Sequence, residues 1–390
     1  MAGYVLSSAN RWYVALEQRY GEVPSVGAAK RIPAVRLSVR QQWEKRDRRD
    51  KRGSRTFGGW PNGLRKRTSF LLRTYMTGWV EQNVEPGYGP LFQAALGGRP
   101  EFFRGGPLAA GSTETVVRFR EPHGLEPGQA VRVGDELRFV SAVVDGRSVI
   151  LNAPLSRAPQ EGTPAGTTVS YRPALELPSV SIYDYWTPAT AVQRVLCGAA
   201  VDVLRIRVNA DYHEFEFSGA ARDVIDSASF VSGQGGLAVF PEEPGPGSFD
   251  YTVVPGNVGQ AWLGSAAQRF WTITEAEVVL QNDLELRDRE FGSDGLQGVW
   301  PGVRSVTLEL ELYEVDNLAT KELYQAARQR SPIGVMFQLG ALPGQIFGLW
   351  LPALTPEVPE FDDSENRLRW KFSGCRAQGT VDDEMYIAFG

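Results

Sequence analysis

A chain of 390 residues with 42% apolar and 22% charged side chains can bury a sizeable core and has room for two or three domains. Its net charge of −5 gives no general attraction for nucleic acid or an anionic membrane, and its 42 Gly and 25 Pro make it rich in turns without making it disordered. Two cysteines, Cys197 and Cys375, are too few for a disulfide framework, and the N-terminus MAGYVLSSANRWYVALEQRY lacks a signal peptide's charged, apolar and cleavage regions, so maturation in a reducing cytoplasm is expected.

In chain order, aromatic and β-branched residues fall in short alternating runs, which predict strands. The first is Ala34–Trp43, followed by a basic polar loop, a turn at Trp60-Pro61, a second strand over Arg67–Met76 and a short helix over Gly89–Leu96. Residues 106–172 read as a small β module of short strands (TVVRF, AVRV, ELRFVSAVV, SVIL, TTVSY) separated by turn clusters. Residues 231–265 are a Gly/Pro-rich connection carrying Phe240, Phe249, Tyr251 and Trp262. Those rings are costly to leave in water, so an ordered arm reaching a neighbour is favoured over a flexible linker. A strand over Trp271–Asn282 follows, then a Trp300-Pro301 turn, a strand over Ser305–Val315 and a helix over Leu318–Gln329. In that strand Val306, Leu308, Leu310 and Leu312 alternate with Thr307, Glu309, Glu311 and Tyr313, the period of a sheet with one wet face. Residues 334–354 carry no charge, but Gly340, Gly344, Gly348, Pro343 and Pro352 break any spanning helix. They read as two buried strands joined at Leu342-Pro343-Gly344-Gln345, with no membrane insertion.

The same order of features occurs twice. Trp60-Pro61-Asn62-Gly63-Leu64-Arg65 recurs as Trp300-Pro301-Gly302-Val303-Arg304, one residue shorter. Arg46-Asp47-Arg48 recurs as Arg287-Asp288-Arg289, Leu91-Phe92-Gln93-Ala94-Ala95 as Leu323-Tyr324-Gln325-Ala326-Ala327, and Phe217-Ser218-Gly219 as Phe372-Ser373-Gly374. Four matches in one order indicate a duplicated domain. The first copy is longer between its helix and the Phe-Ser-Gly anchor, and the module accounts for most of the excess. The expected organisation is a first domain of residues 1–105 plus 173–230, an inserted module at 106–172, a connection at 231–265 and a second domain at 266–390. The module is expected to be peripheral and dispensable, because insertions are best tolerated in surface loops.

Chemistry-bearing residues are sparse. His123 lies in a turn and His213 opens a strand, and two His with two Cys far apart supply no zinc spacing. Gly233-Gln234-Gly235-Gly236 lacks the Lys-Ser/Thr of a P-loop, and no nucleophile elbow occurs. The acidic clusters Asp362-Asp363 and Asp382-Asp383-Glu384 read as exposed turns and strand ends. No catalytic residue, cofactor or metal is expected, and the chain is read as no enzyme. The charges that look organised sit at matching places in the two copies with opposite sign. Residues 40–55 are basic, with Arg46, Arg48 and Arg49, whereas residues 275–294 are acidic, with Glu285, Asp288 and Glu290; these six are the candidate assembly residues. A smaller inversion aligns Glu214 and Glu216 with Arg369 and Lys371.

The run ITEAEVVLQNDLELRDREFGSDGLQGVWPGVRSVTLELELYEVDN at 273–317, the helix after it and the closing TVDDEMYIAFG resemble the major tail tube protein of long, non-contractile-tailed (siphovirus-type) phages, in a variety with two tube domains. The resemblance is one of layout, covering most of the chain, and it implies a mainly β (α+β) fold. Two tandem tube-type β-sandwich or half-barrel domains, each with one short helix, would carry the inserted small β module. It further implies self-assembly into stacked rings that form a conduit for DNA, with trimers giving pseudo-sixfold rings, in a virion tail assembled in the host cytoplasm. The implied partners are copies of the chain, a tape measure protein, tail terminator and distal tail proteins, and viral DNA that passes without specific binding. Glu309 and Glu311 would suit the channel wall, although the spacing from the Trp-Pro turns places Phe70 and Leu72 at the matching positions of the first copy. A tail hub or distal tail ring, and less closely a glycan-binding or hydrolytic tail-tip protein, are the alternative readings.

Overall fold

The computed structural model describes residues 4–45, 49–247 and 249–390. The fold is mainly β with two α-helices among the described residues, and the strand runs read from the sequence become strands. The first copy contributes β1 (Asn10–Leu16), β2 (Ala34–Trp43), β3 (Lys66–Tyr75), α1 (Gly89–Leu96), β4 (Val180–Trp186), β5 (Arg194–Val208), β6 (Glu214–Ala221) and β7 (Asp223–Asp226). The second contributes β8 (Gly259–Gly264), β9 (Ile273–Gln281), β10 (Ser305–Tyr313), α2 (Leu318–Gln329), β11 (Ile333–Leu339), β12 (Phe347–Thr355), β13 (Glu360–Asp362), β14 (Arg369–Ala377) and β15 (Tyr386–Phe389).

An antiparallel sheet runs through both copies in the order β2-β3-β6-β5-β9-β10-β14-β13. Long β5 turns a corner: its second half lies in this sheet, while its first half pairs with β4 and β7, and β4 pairs with β1. The second copy repeats the path in two pieces. Strand β12 pairs with β11 along most of its length and with β15 over its first half, its end reaches β14, and the chain continues into β13; β11 pairs with β8. Each copy is thus a half-barrel. Register irregularities recur at matching rungs, between Ala34/Arg36 and Ile273/Glu275, and between Val180/Ile182 and Ile333/Val335. Such bulges bend and twist a strand locally, so both corners are turned by the same device.

The cross-strand partners correct the register read from the Trp-Pro turns. Leu72 lies opposite Phe217 and Leu310 opposite Phe372, so Leu71 and Arg73, not Phe70 and Leu72, stand in the places of Glu309 and Glu311. The loop before β3 is one residue longer than the turn motifs account for. A slip of one residue exchanges the two faces of a strand. With it restored, Phe70 and Leu72 join Leu308 and Leu310 in the core.

The two helices differ in setting. Every residue of α1 is buried; Pro90 opens it and Gly97 closes it at φ 92°. Phe92 lies among Phe215 and Phe217 of the first copy, Phe347 and Phe389 of the second, and Tyr171. One apolar core therefore spans both copies. Helix α2 is amphipathic, capped by Asn317, whose side chain accepts from the Thr320 N–H, and buries Thr320, Leu323 and Ala327. Residues 334–354 form the expected pair of strands, and no helix among the described residues is long and apolar enough to cross a membrane.

The inserted module has its own six-stranded sheet and a core including Leu108, Val117, Phe119, Val140 and Val149. Its last predicted strand, Thr168–Tyr171, belongs elsewhere, pairing with β15 and with Glu101–Phe103. Nor does the module stand apart, as a peripheral insertion would. Leu137 and Phe139 pack with Met336, Ile346 and Tyr386 of the second copy and with Trp262, which was expected in the connection but lies in β8, paired with β11. Between Leu137 and Phe139, Arg138 is fully buried. It binds Glu136 at 2.5 Å, donates to the Gln338 side chain and the Pro154 carbonyl, and stacks 3.8 Å from the Trp262 ring. The connection between the copies lies along the first copy of its own chain. Arg11 holds Glu243, the Tyr185 hydroxyl donates to the Pro241 carbonyl, and Arg31 stacks over Phe249 and Tyr251.

Candidate assembly interface

The junction between the copies is formed by the second half of β5 and by β9, paired from Val203 opposite Gln281 to Val208 opposite Ala276. Alternation sends Leu204, Ile206, Val278 and Leu280 into the core and leaves charged residues on the other face. There Arg205 reaches Glu277 at 2.8 Å and Glu216 at 3.5 Å, Arg207 reaches Glu277 at 3.0 Å, and Arg73 binds Glu216 at 2.7 Å. The result is a ladder of alternating sign across β3, β6, β5 and β9. At the end of the junction Asn282 is buried and donates to the carbonyls of Ala95 and Val201, satisfying an otherwise orphaned group at the end of α1.

The second copy carries the same ladder with its signs exchanged. Glu311 stands in the place of Arg73, Lys371 in that of Glu216, and Glu360 in that of Arg205, by their cross-strand partners. Lys371 binds Glu311 at 3.7 Å and Asp362 at 3.1 Å, and Arg369 binds Asp362 at 2.8 Å. Hydrogen bonds from Ser364, with Arg369 and Lys371 alongside, hold the Asp362 carboxyl well below the usual carboxylate range. Here the ladder ends, because among the described residues β13 pairs only with β14. At the far end of the sheet β2 pairs, among the described residues, only with β3. Strand β2 matches β9, and β13 matches the part of β5 that β9 covers. The sheet therefore has two open edges that correspond to the two sides of its own internal junction.

The candidate residues from the sequence fall partly within this frame. Arg46 and Arg48 lie outside the described residues, whereas Arg49 is exposed. Glu285 pairs with Trp300 in a two-stranded ribbon, Asp288 binds Arg67 at 3.1 Å, and Glu290 binds Arg287. Lys66 adds an ion pair to Asp294 at 3.6 Å, so the acidic loop of the second copy settles on the first copy of the same chain. Glu309 is exposed and Glu311 half-buried, both on the charged face. Arg205, Arg207 and Glu360 were not among the expected interface residues, whereas Glu277 lay in the acidic stretch 275–294 and Asp362 in a cluster read as an exposed turn or strand end. The period-2 run LRIRV at 204–208 carried the signal, but its partner strand did not follow from it.

The other chemistry-bearing residues lie apart from this face. His213 is buried with Nε2 on the Val258 carbonyl, and burial lowers its pKa; the His123 ring closes a turn against the Leu125 N–H and the Asp145 carbonyl. Cys197 is buried, its thiol pushed up to about 12 by burial, and Cys375 is buried as well. Asp382 and Glu384 both bind Arg304. Among the described residues no group of three His, Cys, Asp or Glu is placed to hold a metal ion. No protein-family model matches the chain, and no curated protein matches it in sequence.

Proposed function

We propose that this chain is a structural subunit that assembles with its own copies into rings, stacked as the tail tube of a long, non-contractile-tailed phage. The observation that carries the reading is the pair of open sheet edges matching the two sides of the internal junction. An exposed strand edge is a template for pairing with another chain. Two different edges on opposite ends make a head-to-tail interface, which closes into a ring if the rotation permits. Repeating the internal junction between chains gives a ring in which three chains present six similar half-barrels. Copies of the chain are the principal partners; the tape measure, terminator and distal tail proteins would cap and fill the tube, with DNA passing through. The charged face, where Glu309 lies opposite Glu277 and Glu311 binds Arg369, suits a channel wall, because its cations are paired within the protein and leave little to hold phosphate.

Negative-stain microscopy of the concentrated, warmed protein tests the proposal. Rings or tubes are the expected result, and single rings that never stack would favour the hub reading. A species that light scattering shows to be monomeric under all such conditions would overturn it.

A further inference from the structure

We infer that the two open edges recognise each other through a sign-exchanged copy of the internal junction, with β2 of one chain pairing with β13 of the next, Arg40 opposite Glu360 and Val39 opposite Phe361. The inference rests on the self-assembly reading and names the contact that performs it. The assignment follows from register. Leu37 opposite Leu72 matches Ala276 opposite Leu310, so Ser38, Val39 and Arg40 stand in the places of Glu277, Val278 and Val279. Glu360 opposite Lys371 matches Arg205 opposite Glu216, so Glu360, Phe361 and Asp362 stand in the places of Arg205, Ile206 and Arg207. Internally Arg205 faces Val279, Ile206 faces Val278 and Arg207 faces Glu277. Transferred to the open edges, Glu360 faces Arg40, Phe361 faces Val39, and Asp362 faces Ser38, with Arg36 and Arg40 at the diagonal positions.

Two independent observations agree with that placement. Internally a basic donor edge, Arg205 and Arg207, meets an acidic receiving edge at Glu277, with Glu275 two residues along the same strand. Between chains an acidic donor edge, Glu360 and Asp362, would meet a basic receiving edge, Arg36 and Arg40. Charge complementarity of this kind sets partner and register more than affinity. It also repels the wrong pairings: the receiving edge of one first copy cannot dock on another, because Arg would face Arg. The second observation concerns apolar surface. Phe361 is 58% exposed, whereas Ile206 in the matching place is 1% exposed under Val278. Val39 across the open seam would cover Phe361 in the same way.

The test has two arms on the full chain. Val39→Cys with Phe361→Cys should yield a ladder of disulfide-linked chains on mild oxidation, since the native Cys197 and Cys375 are buried. R36E/R40E changes exposed side chains only, so its unfolding midpoint should match the wild type while the concentration needed for assembly rises about tenfold or more. Adding E360K and D362K to that variant should restore assembly in part, and 0.5 M salt should weaken the wild type more than R36E/R40E, because screening removes an attraction that only the wild type has. Wild-type assembly without a cysteine ladder, or with R36E/R40E assembling normally, would overturn this inference and leave the self-assembly proposal standing. A wild type that never assembles would overturn both.

Discussion

At the scale of the residue, Arg138 shows how a charge is kept inside this protein. Burial lowers its pKa to about 10, still well above neutrality, so the guanidinium stays charged and needs Glu136, Gln338, the carbonyls and the Trp262 face around it. Removing one partner of such a pair leaves an uncompensated buried charge. Arg138→Ala is therefore expected to cost about 3–5 kcal/mol, read as a lower urea midpoint with an unchanged slope, and Arg138→Met with Glu136→Gln should recover part of the loss. Glu243 gives a pH dependence of definite sign. The hydrogen bond from Arg11 holds its carboxyl below the ordinary range. Its contribution is therefore fully present above the unfolded value of about 4.3 and is lost as pH falls through the folded one. The amide protection of residues 231–247, corrected for the intrinsic exchange rate at each pH, should be lower below about pH 4 than at pH 7, and Glu243→Gln should reproduce that loosening at pH 7.

At the scale of the element, the sequence reading was strongest where the period was clean. The alternation of Val306 to Leu312, the Pro-Gly turn near residue 343 and both helices all appear where local pattern places them. What the pattern did not carry was pairing across long separations. The one-residue slip between the copies, the meeting of β5 with β9 and the partners of Glu360 depend on which strands come together, and a two-residue period says nothing of that. The inserted module illustrates the same limit. Its strands and turns were legible, but its attachment was not, because Leu137, Arg138 and Phe139 meet residues some 120 to 250 positions away. Deleting residues 106–166 with a short Gly/Ser joint would uncover Trp262, Met336 and Tyr386. The shortened protein is expected to bind a hydrophobic dye and to melt several degrees lower, contrary to the dispensable insertion that loop placement suggested.

At the scale of the whole molecule, the duplication places two similar half-barrels around one core, with Phe92 near its centre and Asn282 tying the second copy to the end of the first helix. The module, inserted in the first copy yet clamped on the second through Arg138, is a brace across the pair. In a closed ring of repeated steps, the turn made at each step fixes how many steps return to the start. An intrachain step set by a shared core, a buried amide and a brace is decided when the chain folds. Only the seam between chains would, in the proposed ring, be left to be decided on assembly. In the proposed ring, half of the curvature would then be supplied by a rigid gauge, and angular error could accumulate only at alternate joints. A continuous chain would in this way limit the polymorphism that a ring of separate single-domain subunits would have to suppress at every joint.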